Sequence, residues 1–140
     1  MNLKKKLKCV LLVDDDDDCN LFHQRLLNKL ECTEKVQIAR DGVEALDFLR
    51  STIDGCPPCP SIIFLDINMP RMNGWEFLEE YKKLDTKFKA EVLLIMLTTS
   101  LNPDDLERTR NYHEVSGFNN KYLQKNNIEK IITDNFPELF

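Results

Sequence analysis

The chain has 140 residues, 24 Asp and Glu against 19 Lys and Arg, and a net charge of −5. That length suits one domain with a sizeable core, and a composition 42% hydrophobic and 31% charged is that of a globular protein, not a disordered one. No apolar run approaches the ~20 residues of a membrane span, the lysines of 4–8 precede too short an apolar stretch for a secretory signal, and the acidic balance argues against a nucleic-acid surface.

The first apolar run, Cys9–Val13, reads as a strand buried on both faces. It runs into Asp14, Asp15, Asp16, Asp17 and Asp18. Without these five acids the remaining 19 balance the 19 bases, so the whole excess of negative charge sits in one short run at a strand end. Leu21, Phe22, Leu26, Leu27 and Leu30 then recur at helical spacing. Val36–Ala39, interrupted by Gln37, is a weaker strand. The turn Asp41-Gly42 opens a helix carrying Val43, Leu46 and Leu49. Pro57, Pro58 and Pro60 mark the loop before a third apolar strand, Ile62–Leu65.

Trp75, Phe77, Leu78, Tyr81 and Leu84 give the third helix, and Val92–Leu97 a fourth buried strand. Asn102-Pro103, followed by Asp104 and Asp105, is a helix start: a capping side chain, proline in the first turn, acids at the positive dipole end. Gly117–Asn120 is polar enough to suit only an edge strand. Ile128, Ile131 and Ile132 mark a fifth helix ending before Pro137.

Strands alternating with helices predict an α/β fold, a doubly wound parallel (βα)5 sheet of flavodoxin-like order 2-1-3-4-5. In that order strands one and three are neighbours, and ligands bind beyond the carboxyl ends at such a switch point. Asp14 and Asp15 follow strand one, Asp66 follows strand three, Thr98 and Thr99 follow strand four, and Lys121 follows strand five. Neighbouring strands lie ~4.8 Å apart, so the three carboxylates must crowd together, where they repel one another unless a cation intervenes. An all-oxygen donor set favours Mg²⁺ or Mn²⁺. A hydroxyl and an ammonium beside such an ion suit phosphoryl transfer, with one carboxylate as nucleophile.

Val10-Leu11-Leu12-Val13-Asp14-Asp15, Asp41-Gly42-Val43-Glu44-Ala45-Leu46, Ile63-Phe64-Leu65-Asp66-Ile67-Asn68-Met69-Pro70 with Met72-Asn73-Gly74, Leu97-Thr98-Thr99-Ser100 and Gly117-Phe118-Asn119-Asn120-Lys121 follow one another in order. Together they resemble the receiver domain of two-component response regulators, over nearly the whole chain. The resemblance implies that Asp66 accepts phosphate from a histidine kinase or phosphotransfer protein. It implies that Asp15, Asp66 and the Asn68 carbonyl ligate Mg²⁺, with Asp14 acting through water. Thr98 and Lys121 would contact the phosphoryl oxygens, and Phe118 would turn inward as Thr98 moves. The fourth helix, fifth strand and fifth helix would be the contact face.

Three positions depart from the family pattern. Tyr122 stands where proline is usual, often after a cis bond, so either a trans peptide or visible strain is expected. Thr99 is β-branched where a small residue is common, which is expected to slow hydrolysis of the phosphorylated site. Phe118 lacks the hydroxyl tyrosine often supplies.

The remaining residues take plainer readings. Asp16–Asp18 suit a helix start. Lys125 competes with Lys121. Trp75 and Met96 read as packing, and His23 and His113 as solvated helix residues. Cys56-Pro-Pro-Cys59 has redox or half-zinc spacing; with Cys9 and Cys32 it falls toward the amino ends of the strands, and four packed thiols are the favoured alternative. No signal precedes the five cysteines, so reduced thiols in the cytoplasm are expected. The second functional reading is a haloacid-dehalogenase-type phosphatase built on Asp14 and Asp16. A calcium loop on Asp14, Asp16 and Asp18 fails because Cys19 replaces its glycine and Arg25 its glutamate. The four scattered glycines form no phosphate loop. The sequence therefore predicts a single receiver domain over 1–140, core about 8–135 with a basic lead and a short tail, without output domain, membrane insertion or independent enzymatic turnover, signalling by protein contact or onward phosphotransfer.

Overall fold

The computed structural model describes residues 2–52, 55–89, 92–99 and 102–140. Ser100, in the expected hydroxyl segment, lies outside them. Five strands alternate with five helices: β1 (Val10–Val13), α1 (Asp17–Leu30), β2 (Val36–Ala39), α2 (Gly42–Arg50), β3 (Ile62–Asp66), α3 (Gly74–Lys82), β4 (Leu93–Thr98), α4 (Pro103–Thr109), β5 (Val115–Asn120) and α5 (Lys125–Asn135). All strand pairs are parallel, in the order β2-β1-β3-β4-β5, the predicted flavodoxin-like order. The most polar strand, β5, is at an edge as expected; it begins two residues earlier than its composition suggested.

Alternation within each strand explains the continuous apolar runs. Leu11, Val13, Ile63, Leu65, Leu94 and Met96 face one core layer with α2 and α3, where Ala45, Leu46, Leu49, Trp75, Phe77, Leu78 and Tyr81 are buried. Val10, Leu12, Ile62, Phe64, Ile95 and Leu97 face the other, with Leu27 of α1 and Ile128, Ile131 and Ile132 of α5. Burying a large aliphatic side chain contributes roughly 1.5–3 kcal/mol, so two full layers fix each strand's register.

The core reaches beyond the expected 8–135. Leu7 and Leu139 are buried, and the Leu139 carbonyl accepts the backbone N–H groups of Lys4 and Lys5. Lead and tail thus clasp each other. A second correction concerns α1. Its buried face is Cys19, Asn20, His23 and Leu27, whereas Leu21 and Phe22 are 44% and 45% exposed. His23, expected to be solvated, is 2% exposed. His113 does face solvent, but in the turn between α4 and β5, not on a helix.

Helix starts follow their capping chemistry. Asp16 caps α1 by accepting Asp18 N–H at 3.0 Å and Cys19 N–H at 3.2 Å, which confirms the plainer reading of Asp16–Asp18. Asn73 and Glu76 form a reciprocal capping box on α3, and Asn102 caps α4 ahead of Pro103. Every peptide bond of the described residues is trans, so of the two outcomes foreseen for Lys121-Tyr122 the trans bond is observed.

Candidate metal centre

Register brings the acids together. Val13 pairs with Leu65 across β1 and β3, so Asp14, the next residue on one strand, meets Asp66, the next on the other. One ligand oxygen from each of Asp14, Asp15 and Asp66 can be chosen so that all three lie within 4.8 Å of one another. Asp14 and Asp66 are 3% exposed; Asp15 is open to solvent. Thr98, ending the neighbouring strand, is buried. Its carbonyl accepts the N–H of Lys121 at 2.8 Å, which anchors the lysine beyond β5.

The Lys121 ammonium stands 3.4 Å from Asp14 Oδ1 and 3.6 Å from Asp66 Oδ2. Lys125, the competing candidate, instead points along α5 to Glu129. One ammonium cannot neutralise three carboxylates. Burial, then Asp14, push the Asp66 carboxyl up to about 6, against the pull of Lys121 and the Asn68 N–H. Burial alone would lower Lys121, but Asp14 and Asp66 more than offset it and hold the ammonium above its usual range. With all acids ionised the cluster carries an excess of two negative charges, which a divalent cation would cancel.

Asp14 Oδ2 and Asp66 Oδ2 are buried and accept no hydrogen bond; Asp66 Oδ2 faces the Lys121 ammonium at 3.6 Å, beyond hydrogen-bond length. Buried carboxylate oxygens ordinarily have partners. Two such oxygens in an all-oxygen set fit a hard divalent ion. Asn68 is exposed next to the cluster in the chain, and half-buried Phe118 packs against the α2–α3 core layer.

The loop after Asp66 is pinned at several points. Gly74 N–H donates to the Ile67 carbonyl at 2.8 Å and Gly42 N–H to the Met72 carbonyl at 3.2 Å. Arg71, in the left-handed region at φ 59°, donates from Nε to Asp41 at 2.6 Å. Asp41 is buried and also caps α2 by accepting Glu44 N–H at 2.9 Å. Burial raises its carboxyl, but Arg71 and the Glu44 N–H outweigh that and hold it below the usual range.

Several residues at the site escaped sequence reasoning. Asn20 donates from Nδ2 to the Asp14 carbonyl at 2.8 Å, and Cys19 and His23 lie beneath the acid run. Cys19, His23 and Leu27 step by four along the helix, a periodicity masked by counting only Leu and Phe. By contrast, Cys9, Cys32, Cys56 and Cys59 do not gather: among the described residues the only group of three or more potential metal ligands is Asp14, Asp15 and Asp66. Of the four packed thiols expected, only Cys9 and Cys32 are buried; Cys56 is exposed and Cys59 half-buried, the latter donating to the Lys87 carbonyl. Asp16 caps α1 through Oδ1 and is not part of the Asp14, Asp15 and Asp66 cluster, so the haloacid-dehalogenase-type reading on Asp14 and Asp16 is not favoured.

A doubly wound parallel sheet with an acidic nest at its switch point and a lysine set across it is an arrangement shared with receiver domains. Residues 10–133 match the model of the response regulator receiver domain, and the chain belongs to that family. It is 33% identical over 116 residues to the probable methanogenesis regulatory protein FilR2 of Methanothrix harundinacea (strain 6Ac), covering 83% of this chain and 70% of that one. It is 33% identical over 107 residues to the response regulator Rcp1 of Synechocystis, covering 76% and 71%. A two-component response regulator from Cytophaga hutchinsonii superposes with a TM-score of 0.80 at 27% identity, covering 95% of this chain and 99% of that one. The chain spans only 10% of the probable histidine kinase 2 of rice, at 31% identity. No described helix is long and apolar enough to cross a membrane.

Proposed function

We propose that this receiver takes a phosphoryl group on Asp66 from a histidine kinase or histidine phosphotransfer protein, in a Mg²⁺-dependent reaction, and signals by protein contact or onward transfer. The observation that carries this is the Lys121 ammonium set between Asp14 Oδ1 and Asp66 Oδ2, with Asp14 Oδ2 buried beside them and accepting no hydrogen bond. Asp15, Asp66 and the Asn68 carbonyl would hold the ion, with Asp14 acting through water. When bound, Mg²⁺ supplies charge neutralisation for the phosphoryl oxygens.

The chain's own groups do the rest. An Asp66 oxygen attacks phosphorus in line, forming an acyl phosphate as the bond from phosphorus to the donor nitrogen or oxygen breaks. Lys121 pairs with one phosphoryl oxygen. The Thr98 hydroxyl donates to another, and Phe118 turns inward as Thr98 moves. Phosphorylation thereby shifts a two-state balance through contacts made only in the modified form. The face of α4, β5 and α5 would carry the signal, in a cytoplasmic setting.

Intact-mass analysis after incubation with acetyl phosphate and Mg²⁺ tests the proposal. Wild type should gain one phosphate, and both Asp66→Ala and chelator-treated wild type should gain none. A full gain by Asp66→Ala would overturn it.

A further inference from the structure

Helix α1 reaches across the molecule to the turn that follows Lys121. His23 Nε2 accepts the backbone N–H of Leu123 at 3.0 Å, a bond spanning 100 residues of chain. A backbone N–H can only donate, so Nε2 carries the lone pair and Nδ1 the proton. Nδ1 lies 3.7 Å from the Cys19 thiol one turn earlier. Cys19 is buried, and Asp14 helps burial push its thiol up to about 12. One residue before His23, the Phe22 ring meets Tyr122 edge-on, with centroids 6.5 Å apart. The 121–123 turn is therefore gripped from α1 at two consecutive residues, and at its start by the Lys121 N–H bond to Thr98.

A proline ring after Lys121 would fix the next φ covalently. Tyr122 provides no such restraint and is 53% exposed. The His23 bond restrains the amide that follows.

We propose that His23 is a positioning residue for the site: by holding the Leu123 amide it fixes the turn that aims Lys121 at Asp14 and Asp66. This rests on the reading of Asp66 as phosphoacceptor. His23 touches none of the reacting atoms and works through Lys121.

Three substitutions test it in the full chain. A glutamine amide reaches the place of Nε2 and can accept the Leu123 N–H; an asparagine reaches only the place of Nδ1, and a leucine accepts nothing. His23→Leu and His23→Asn should slow phosphorylation by acetyl phosphate by on the order of tenfold to a hundredfold, with the Mg²⁺ concentration for half-maximal rate unchanged. The Leu123 amide resonance should shift upfield in both. His23→Gln should keep that resonance and most of the rate. Should His23→Leu not fold, the contrast between Gln and Asn decides alone. Wild-type rates in folded Asn and Leu variants, or equal loss in Gln and Asn, overturn the positioning role while wild type still gains its phosphate. A wild type that gains none overturns the site reading, and this role with it.

Discussion

Gly74 lies so close to Asp66 that a methyl group on it would stand 2.8 Å from the Asp66 carbonyl oxygen and 3.0 Å from Ile67 Cα. The obstacle is backbone at the end of the strand carrying the acidic site, so it cannot rotate away. Gly74→Ala should therefore cost about 1–3 kcal/mol in urea unfolding and slow phosphorylation of Asp66. Gly42→Ala is the milder comparison: its methyl would meet the Met72 side chain, Cγ at 2.6 Å and Cβ at 3.0 Å, which can give partly by rotation, and alanine favours the helix by up to ~1 kcal/mol. It should cost less than Gly74→Ala and leave phosphorylation of Asp66 less affected. Equal losses in the two variants would contradict this account of the β3–α3 loop.

Asp41 serves α2 twice, as cap and as the anchor of Arg71. Asp41→Ala removes both and should cost ~1–2 kcal/mol. Asp41→Asn keeps the acceptor for Glu44 N–H and should fall between. Since Asp41's carboxyl is held below its usual range, its contribution is present at neutral pH and fades as pH falls into the carboxylate range. Urea midpoints at pH 7 and pH 3 for the three proteins check both statements. A midpoint for Asp41→Ala equal to wild type at pH 7 would refute them.

Asp66 titrates at about 6 in the fold, above its ordinary 3.8. A folded value above the unfolded one means that ionising Asp66 costs stability. The contribution is fully present below the unfolded pKa and is lost as pH rises through about 6. The loss is at most ~3 kcal/mol. Metal-free wild type should thus lose stability relative to Asp66→Asn between pH 4 and pH 7. His23, whose pKa is lowered by burial, works in the opposite direction below pH ~6.5, and comparison with Asp66→Asn cancels it. Mg²⁺ should raise the melting temperature of wild type at pH 7.5 and leave it nearly unchanged at pH 4.5. Equal increments at both would contradict the proposed cation site.

Thr99 follows Thr98 and is exposed at the end of β4. A β-branched side chain there is expected to narrow access of water to the phosphorylated carboxylate. Thr99→Ala should shorten the lifetime of phospho-Asp66 roughly two- to tenfold, or about 0.4–1.4 kcal/mol in the barrier. Decay of the phosphorylated mass after removal of donor measures it, and equal lifetimes end the idea.

Strand order and the acid cluster were legible because they follow from local chemistry. Val10–Val13 and Ile62–Leu65 are apolar on both faces only because two helix layers cover them, and a charged residue directly after such a run can only be a strand-end residue. The face of α1 was not legible. Leu21 and Phe22 are more apolar than Cys19, Asn20 and His23, yet the latter are buried, because His23 finds a donor in Leu123 and Asn20 an acceptor in Asp14. Those partners are brought by the fold, so hydropathy alone places Leu26, Leu27 and Leu30 against the core but misplaces Leu21 and Phe22. Likewise nothing local announces that Leu139 docks on the lead at Lys4 and Lys5.

Chemical trapping reads the central claim most directly. Borohydride reduces an aspartyl phosphate to homoserine, so treating the phosphorylated protein and sequencing its peptides by mass spectrometry locates the acceptor. The account predicts homoserine at position 66 only, dependent on Mg²⁺. Homoserine at 14 or 15, or a stable phosphate that borohydride leaves untouched, would contradict it.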